Sequence, residues 1–154
     1  MEELKLNNVE ESTSLQYIVV NIGNEQYGIN IKYIDNIVRI QKITRVPKTQ
    51  PYYKGVINLR GEIIPVMSIR IKLGLEDDEF TDKSRIIIVK VDNASVGIIV
   101  DQVKEVVTLE EDDIENMATN VNDEFSGYIN AIGKSKGELI TLLDIIGIIV
   151  EKEN

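Results

Sequence analysis

The sequence predicts a mainly β protein built from two related units of about five strands each. Three observations lead to that fold class: the choice of aliphatic residues, short apolar runs bounded by turn residues, and an internal repeat. The 154 residues include 26 Ile, 16 Val and 10 Leu but only three Ala. β-Branched side chains are stiff at χ1 and suit a pleated, half-buried surface, whereas helical bundles rely on Leu and Ala. The excess of Ile and Val therefore favours strands.

Taken in order, Leu15 to Ile22 reads as a strand that Gly23-Asn24-Glu25 turns into a second, at Gln26 to Ile29. After Ile31 the apolar spacing lengthens to Ile34, Ile37 and Val38, one helical turn feeding another strand. Pro47 and Pro51 punctuate a basic loop. Gly55 to Leu59 and Glu62 to Met67 are strands on either side of Arg60-Gly61. Pro65 has no N–H to donate, which places it at an edge or a bulge. Ser68 to Leu73 reads as a short helix, with Ser68 as N-cap and Gly74 just past its end. The polar stretch Glu76 to Ser84 is a loop. Strands resume at Arg85 to Val91, Ser95 to Asp101 and Glu105 to Leu109, and Glu110 to Asp113 and Asn116 to Glu124 are polar connections. Gly127 to Ile132 and Glu138 to Leu143 form a last hairpin, and Asp144 caps a closing helix that runs to about Val150.

Sliding the chain by 69 positions lays Tyr17 to Asn24 over Ile86 to Asn93, and Tyr27-Gly28-Ile29 over Val96-Gly97-Ile98. Ile31, Ile34, Ile37 and Val38 then fall on Val100, Val103, Val106 and Val107. Farther on, Gly55-Val56-Ile57-Asn58 matches Gly127-Tyr128-Ile129-Asn130, Gly61-Glu62 matches Gly137-Glu138, and Ser68 matches Asp144. Alternation alone would not align glycines, asparagines and helix caps in one order, so a structural duplication is expected. Its units are about 15–75 and 85–150, with the seam at 76–84. Residues 1–14 and 151–154 read as tails of a single 15–150 domain. A repeat in sequence leaves open whether terminal strands cross between the units.

Composition excludes much chemistry. The chain has no Cys, His or Trp, and 17 basic against 26 acidic side chains give a net charge of −9. There is thus no disulfide, no thiolate zinc site, no imidazole base and no Ser-His-Asp triad. No cofactor or metal is expected, since the acidic runs Glu76 to Glu79 and Glu110 to Asp113 lack the alternating ligands of a calcium loop. The N-terminus lacks an apolar signal core, and no run nears the ~20 residues that span a bilayer, so the expectation is a cytoplasmic protein without membrane insertion. Charge divides at the seam: residues 16–75 carry a net +6 and 76–154 a net −12. That polarity suits oriented protein association. Small five-stranded barrels also bind single-stranded nucleic acid, for which the basic half would serve. Its cations are not interleaved with aromatics, however, and the acidic half would repel phosphates.

The run Gly55-Val-Ile-Asn-Leu-Arg60-Gly61-Glu-Ile-Ile-Pro65-Val66 is specific. With Tyr27-Gly28-Ile29, Leu73-Gly74-Leu75, Val96 to Asp101 and Leu142-Leu143-Asp144, it resembles the CheW family of bacterial chemotaxis coupling proteins. The resemblance runs from about Leu15 to Val150. It implies two small five-stranded SH3-like β-barrels packed around a shared hydrophobic core, with a few short helices. It also implies an adaptor without catalysis, cytoplasmic and recruited to membrane-associated receptor arrays. The partners would be the cytoplasmic tip of methyl-accepting chemoreceptors and the regulatory domain of the histidine kinase CheA; nucleic acid is not among them. The same domain closes CheA and opens the coupling protein CheV, but no phosphotransfer His, ATP-binding segment or receiver domain accompanies it here, which favours the stand-alone form. Two positions depart from the family pattern. Ile34-Asp35-Asn36-Ile37 stands where members usually carry Val-x-Glu-Ile, and Met67-Ser68-Ile69 where a small apolar residue, Asp and Leu are usual.

The resemblance makes Ile34, Ile37, Gly55, Asn58, Arg60, Val100 and Val103 candidate receptor-binding residues, the aliphatic ones as part of a trough for a helical hairpin. The residues themselves allow plainer roles. Most such aliphatics are core, and Gly55 suits an unusual φ or a close backbone approach. Arg60, a long cation between apolar strands, has two readings: tied to a buried carboxylate such as Asp101 or Asp144, or facing the receptor. Asp101 and Asp144 are structural or coupling residues, Asp144 first of all a helix cap. The kinase-binding residues are not assigned.

Overall fold

In the computed structural model, which describes residues 14–116 and 126–150, the predicted β character is realised. The strands are β1 (Ser14–Ile22), β2 (Glu25–Asn30), β3 (Ile34–Arg39), β4 (Tyr53–Leu59), β5 (Glu62–Ser68) and β6 (Arg85–Val91). They continue with β7 (Ala94–Val100), β8 (Gln102–Glu110), β9 (Ile114–Asn116), β10 (Ile129–Ser135) and β11 (Glu138–Leu143). Short α-helices follow β5 (Ile69–Lys72) and β11 (Ile145–Ile149), and single 3-10 turns precede β3, β9 and β10. Part of the predicted polar connection Asn116 to Glu124 lies outside the described residues.

A six-stranded sheet has the order β8-β1-β2-β11-β10-β9, and a five-stranded sheet the order β3-β6-β7-β5-β4. The β2–β11 and β5–β7 neighbours are parallel, the others antiparallel. Each sheet takes its first hairpin from one half of the chain and its remaining strands from the other. Strands therefore do cross between the repeats, a point the sequence left open.

The duplication holds down to single registers. Tyr17 pairs with Asn30 and Ile22 with Glu25, and 69 residues later Ile86 pairs with Ile99 and Val91 with Ala94. The ladder of β8 on β1 repeats that of β3 on β6, including a bulge at the corresponding place. One part of the expected alignment shifts. The β4–β5 pair Gly55 and Val66 corresponds to Ala131 and Leu142, so the equivalent of Gly55 is Ala131, not Gly127. The strand expected at Gly127 accordingly begins at Ile129.

Two further expectations are corrected, the second in part. Closed five-stranded SH3-like barrels do not form: the sheets are open, of six and five strands, with no hydrogen-bonded ladder between β8 and β9 or between β3 and β4. Hydrophobic alternation specifies which faces are buried, but closure needs pairing and stagger between end strands, which the pattern does not encode. Of the two places expected for Pro65, the edge is excluded because β5 lies between β7 and β4, while a bulge of the β4–β5 pair lies beside it, opposite Val66 and Met67. Its missing N–H is tolerated because the parallel pairing with β7 begins one residue later, at Val66.

The sheets meet through a shared core in which Ile18, Val20 and Ile29 join Ile87, Val89, Ile98 and Val100, closed by Met67, Leu143 and the helix residues Ile69, Ile145 and Ile148. The opposite faces are also apolar. Tyr17, Val19, Leu109 and Leu142 cluster on the six-stranded sheet, and Ile57, Val66, Ile86 and Ile88 on the five-stranded one. Burial on both faces explains why β1 and β6 read as continuous apolar runs rather than as clean alternation.

Candidate functional site

The candidate surface is built around the β4–β5 hairpin. Arg60 and Gly61 form its tip with φ values of 54° and 85°, a left-handed pair that matches the twist of the flanking strands. Asn58 holds the turn from within, its Oδ1 accepting from the Gly61 N–H at 3.1 Å. The Arg60 guanidinium is exposed, and no carboxylate among the described residues lies within ion-pair distance of it. The buried-pair reading of Arg60 is thereby removed. Gly55 is buried at the other end of the hairpin with φ 143°, and a Cβ there would stand 2.2 Å from the Thr44 carbonyl oxygen. That approach is fixed by the Thr44–Val56 bridge, with N–H···O distances of 2.8 Å in both directions.

The aliphatic candidates gather around the shared core rather than in an open trough. Val100 is 0% exposed, so its role is packing. Ile34, Ile37 and Val103 are half-buried against the same cluster. The unusual Asn36 has a local use: its Oδ1 accepts from the Ile37 N–H at 2.8 Å, next to the β3 bulge.

Asp101 is engaged elsewhere. Arg70 Nε donates to its Oδ1 at 3.0 Å and Arg70 Nη2 to its Oδ2 at 2.6 Å, while the Gly23 N–H donates to Oδ2 at 2.8 Å. Burial pushes this carboxyl up, but the guanidinium and the backbone donor outweigh it and hold it below the usual carboxylate range. The pair joins the β1–β2 turn, the helix after β5 and the end of β7. Arg70 escaped the sequence reading, although a signal existed: its equivalent in the second unit is the apolar Ile146, an unmatched charge within a matched helix.

Asp144 is the expected cap, accepting from the Gly147 N–H at 3.0 Å, as Ser68 accepts from the Ile71 N–H at 3.2 Å. Ser68 also donates its hydroxyl to Asp78, while Asp77 pairs with Lys54 at 2.8 Å. Two side chains of the acidic seam are thus anchored rather than merely solvated. Ser68→Ala removes a cap and leaves the half-buried Asp78 carboxylate without its donor, so a loss of ~1–2 kcal/mol is expected in chemical melts. A change below about 0.5 kcal/mol would show that the cap is dispensable. Nearby, Lys72 Nζ stands 3.7 Å from the Tyr52 ring centre and 5.3 Å from that of Tyr128, bridging equivalent residues of the two units.

This geometry offers surfaces, turns and ion pairs; among the described residues no group of three or more acidic side chains converges to hold a metal. The CheW-like domain model matches residues 16–153. The chain belongs to the CheW family. It is 36% identical over 145 residues to chemotaxis protein CheW of Bacillus subtilis, covering 94% of this chain and 92% of that one. To CheW of Thermotoga maritima it is 37% identical over 130 residues, 84% of either chain. The crystal structure of scaffolding protein TtCheW from Thermoanaerobacter tengcongensis superposes with a TM-score of 0.77 at 31% identity, over 84% of this chain and 88% of that one. As a CheW-family member the chain is a chemotaxis coupling adaptor and not an enzyme. Membership displaces the nucleic-acid reading of the basic half.

Proposed function

We propose that this adaptor, acting through residues 15–150 as one unit, binds the cytoplasmic tip of chemoreceptors and the regulatory domain of CheA. Receptor state would thereby reach the kinase within membrane-associated arrays. The observation that carries this reading is the family match over 16–153, which includes the specific run around Arg60. No helix among the described residues is long and apolar enough to cross a membrane, so recruitment would run through the receptors. The receptor contact is assigned to the β4–β5 hairpin, with Arg60 as its charged tip, Asn58 and Gly55 as its frame, and Ile34, Ile37 and Val103 as flanking apolar surface.

Arg60→Ala tests it. An exposed, unpaired side chain contributes little to folding, so stability should stay within ~0.5 kcal/mol of wild type. Binding to CheA should persist, and co-sedimentation with receptor fragments should fall. Lysine should restore the receptor contact only in part if the guanidinium binds a carboxylate through two donors. Wild-type receptor binding and kinase control by Arg60→Ala would remove this residue from the site.

A further inference from the structure

The helices after β5 and β11 occupy equivalent places. The Ser68 N–H donates to the Tyr52 carbonyl at 2.7 Å, and the Asp144 N–H to that of Tyr128 at 2.8 Å. Ser68 and Asp144 then cap their helices. Counted from these caps, Ile69 corresponds to Ile145, both 0% exposed, and Lys72 corresponds to Ile148. The second unit fills that position with an aliphatic side chain that is again 0% exposed. The first unit puts a primary amine there.

Lys72 is half-buried, and its Nζ lies over ring faces, 3.7 Å from the Tyr52 centre and 5.3 Å from that of Tyr128. No carboxylate among the described residues lies within ion-pair distance of it. Of the charged residues on its helix and the loop beyond, Arg70 is bound to Asp101, Asp77 to Lys54 and Asp78 to the Ser68 hydroxyl. Glu76 and Glu79 are exposed. Aromatic faces attract an ammonium, but they do not replace the water that burial removes. The charged form is therefore disfavoured, and the amine titrates below the usual lysine range.

We infer that Lys72 Nζ is a site of N-acylation by an activated acyl donor, an acyl phosphate or an acyl thioester. A desolvated lysine is the better nucleophile because more of it is neutral. In the step, the nitrogen lone pair attacks the acyl carbon and a C–N bond forms. The C–O bond to phosphate, or the C–S bond of the thioester, breaks, and its electron pair leaves with the phosphate or the thiolate. The surplus proton on nitrogen passes to water. The product is an uncharged amide at a position whose counterpart holds the uncharged Ile148, so the packing accommodates it. Acylation would convert the cation that bridges Tyr52 of one unit and Tyr128 of the other into a neutral group. The inference is independent of any receptor or kinase contact.

To test it, the full chain is treated with acetyl phosphate or, in a second arm, with acetyl-coenzyme A, and peptide mass spectrometry follows each lysine with time. Lys72 should be acetylated several-fold faster than the exposed Lys42, Lys48 and Lys90 in at least one arm, which also identifies the donor class. Its rate should level off at a lower pH than theirs, because more of the amine is already neutral. In denaturing guanidinium chloride the advantage should vanish, since the fold creates it. A Lys72 that reacts no faster than the exposed lysines in both arms, a rate that levels off with theirs, or an advantage that survives denaturation would each overturn the inference.

Discussion

Gly55→Ala is expected to destabilise the protein by ~3–5 kcal/mol, combining backbone strain at a disfavoured φ with overpacking. A methyl group at this position would stand 2.2 Å from the Thr44 oxygen and 2.7 Å from its carbonyl carbon. Those are backbone atoms, held in place by the two hydrogen bonds of the Thr44–Val56 bridge, so no rotamer change relieves the clash. Relief requires opening the bridge, which uncovers Ile43 and the cluster on the five-stranded sheet. Gly61→Ala is the control. Its φ is 85°, but nothing lies within 4 Å of an added Cβ, so only strain of ~1–2 kcal/mol remains. Urea titrations of the two variants separate the effects, and equal midpoints would refute the close-approach argument.

Arg70→Met should cost ~2–4 kcal/mol, because it leaves the Asp101 carboxylate partly buried without its bidentate partner. Side-chain exposures of 19% for Arg70 and 28% for Asp101 place the pair between the surface and core regimes. The Gly23 N–H would still donate to Asp101, which keeps the expected loss below that of a fully buried pair. Removing both partners should cost less than the sum of the single changes, since the uncompensated charge disappears as well. The pH dependence has a definite sign. The folded Asp101 carboxyl is held below its ordinary range, so its contribution is complete above the unfolded value of about 3.9 and is lost as pH falls through the folded value. Asp101→Asn should therefore flatten the acid side of the stability curve. Asp78 has the opposite sign: burial raises its carboxyl, and the folded state takes up a proton first as pH falls. Its contribution to stability grows in acid, and Asp78→Asn should remove that gain. Parallel acid melts of the two variants would contradict these assignments.

Particular elements show how far the residues could be read. The caps Ser68 and Asp144, the Gly23 turn and both first hairpins were legible because each is decided by neighbours a few residues apart. The registers of β1–β2 and β6–β7 repeat at the offset of 69 read from the sequence. Strand β9 was not legible: Ile114–Asn116 is three residues long, and Glu-rich flanks hid its single apolar side chain. The match of Gly55 to Gly127 failed because identity of residue type was taken for equivalence of place. The bulges at Tyr53/Gly55 and Ile129/Ala131 set the true correspondence.

The candidate site divides in the same way. Gly55, Asn58 and Arg60 lie on one hairpin, and their grouping follows from adjacency in the chain. The ion pair of Arg70 with Asp101, 31 residues apart, does not. By itself the sequence determined the β character, the duplication, the local registers and the helix caps, since each rests on alternation, turn chemistry or interactions within a few residues. Tertiary structure alone decided that strands exchange between the halves, that both sheets stay open, and that Asp101 is bound by Arg70 while Arg60 is left exposed. Those outcomes depend on which of several equally apolar edges and faces meet, and long-range packing selects among them where hydrophobic pattern is degenerate.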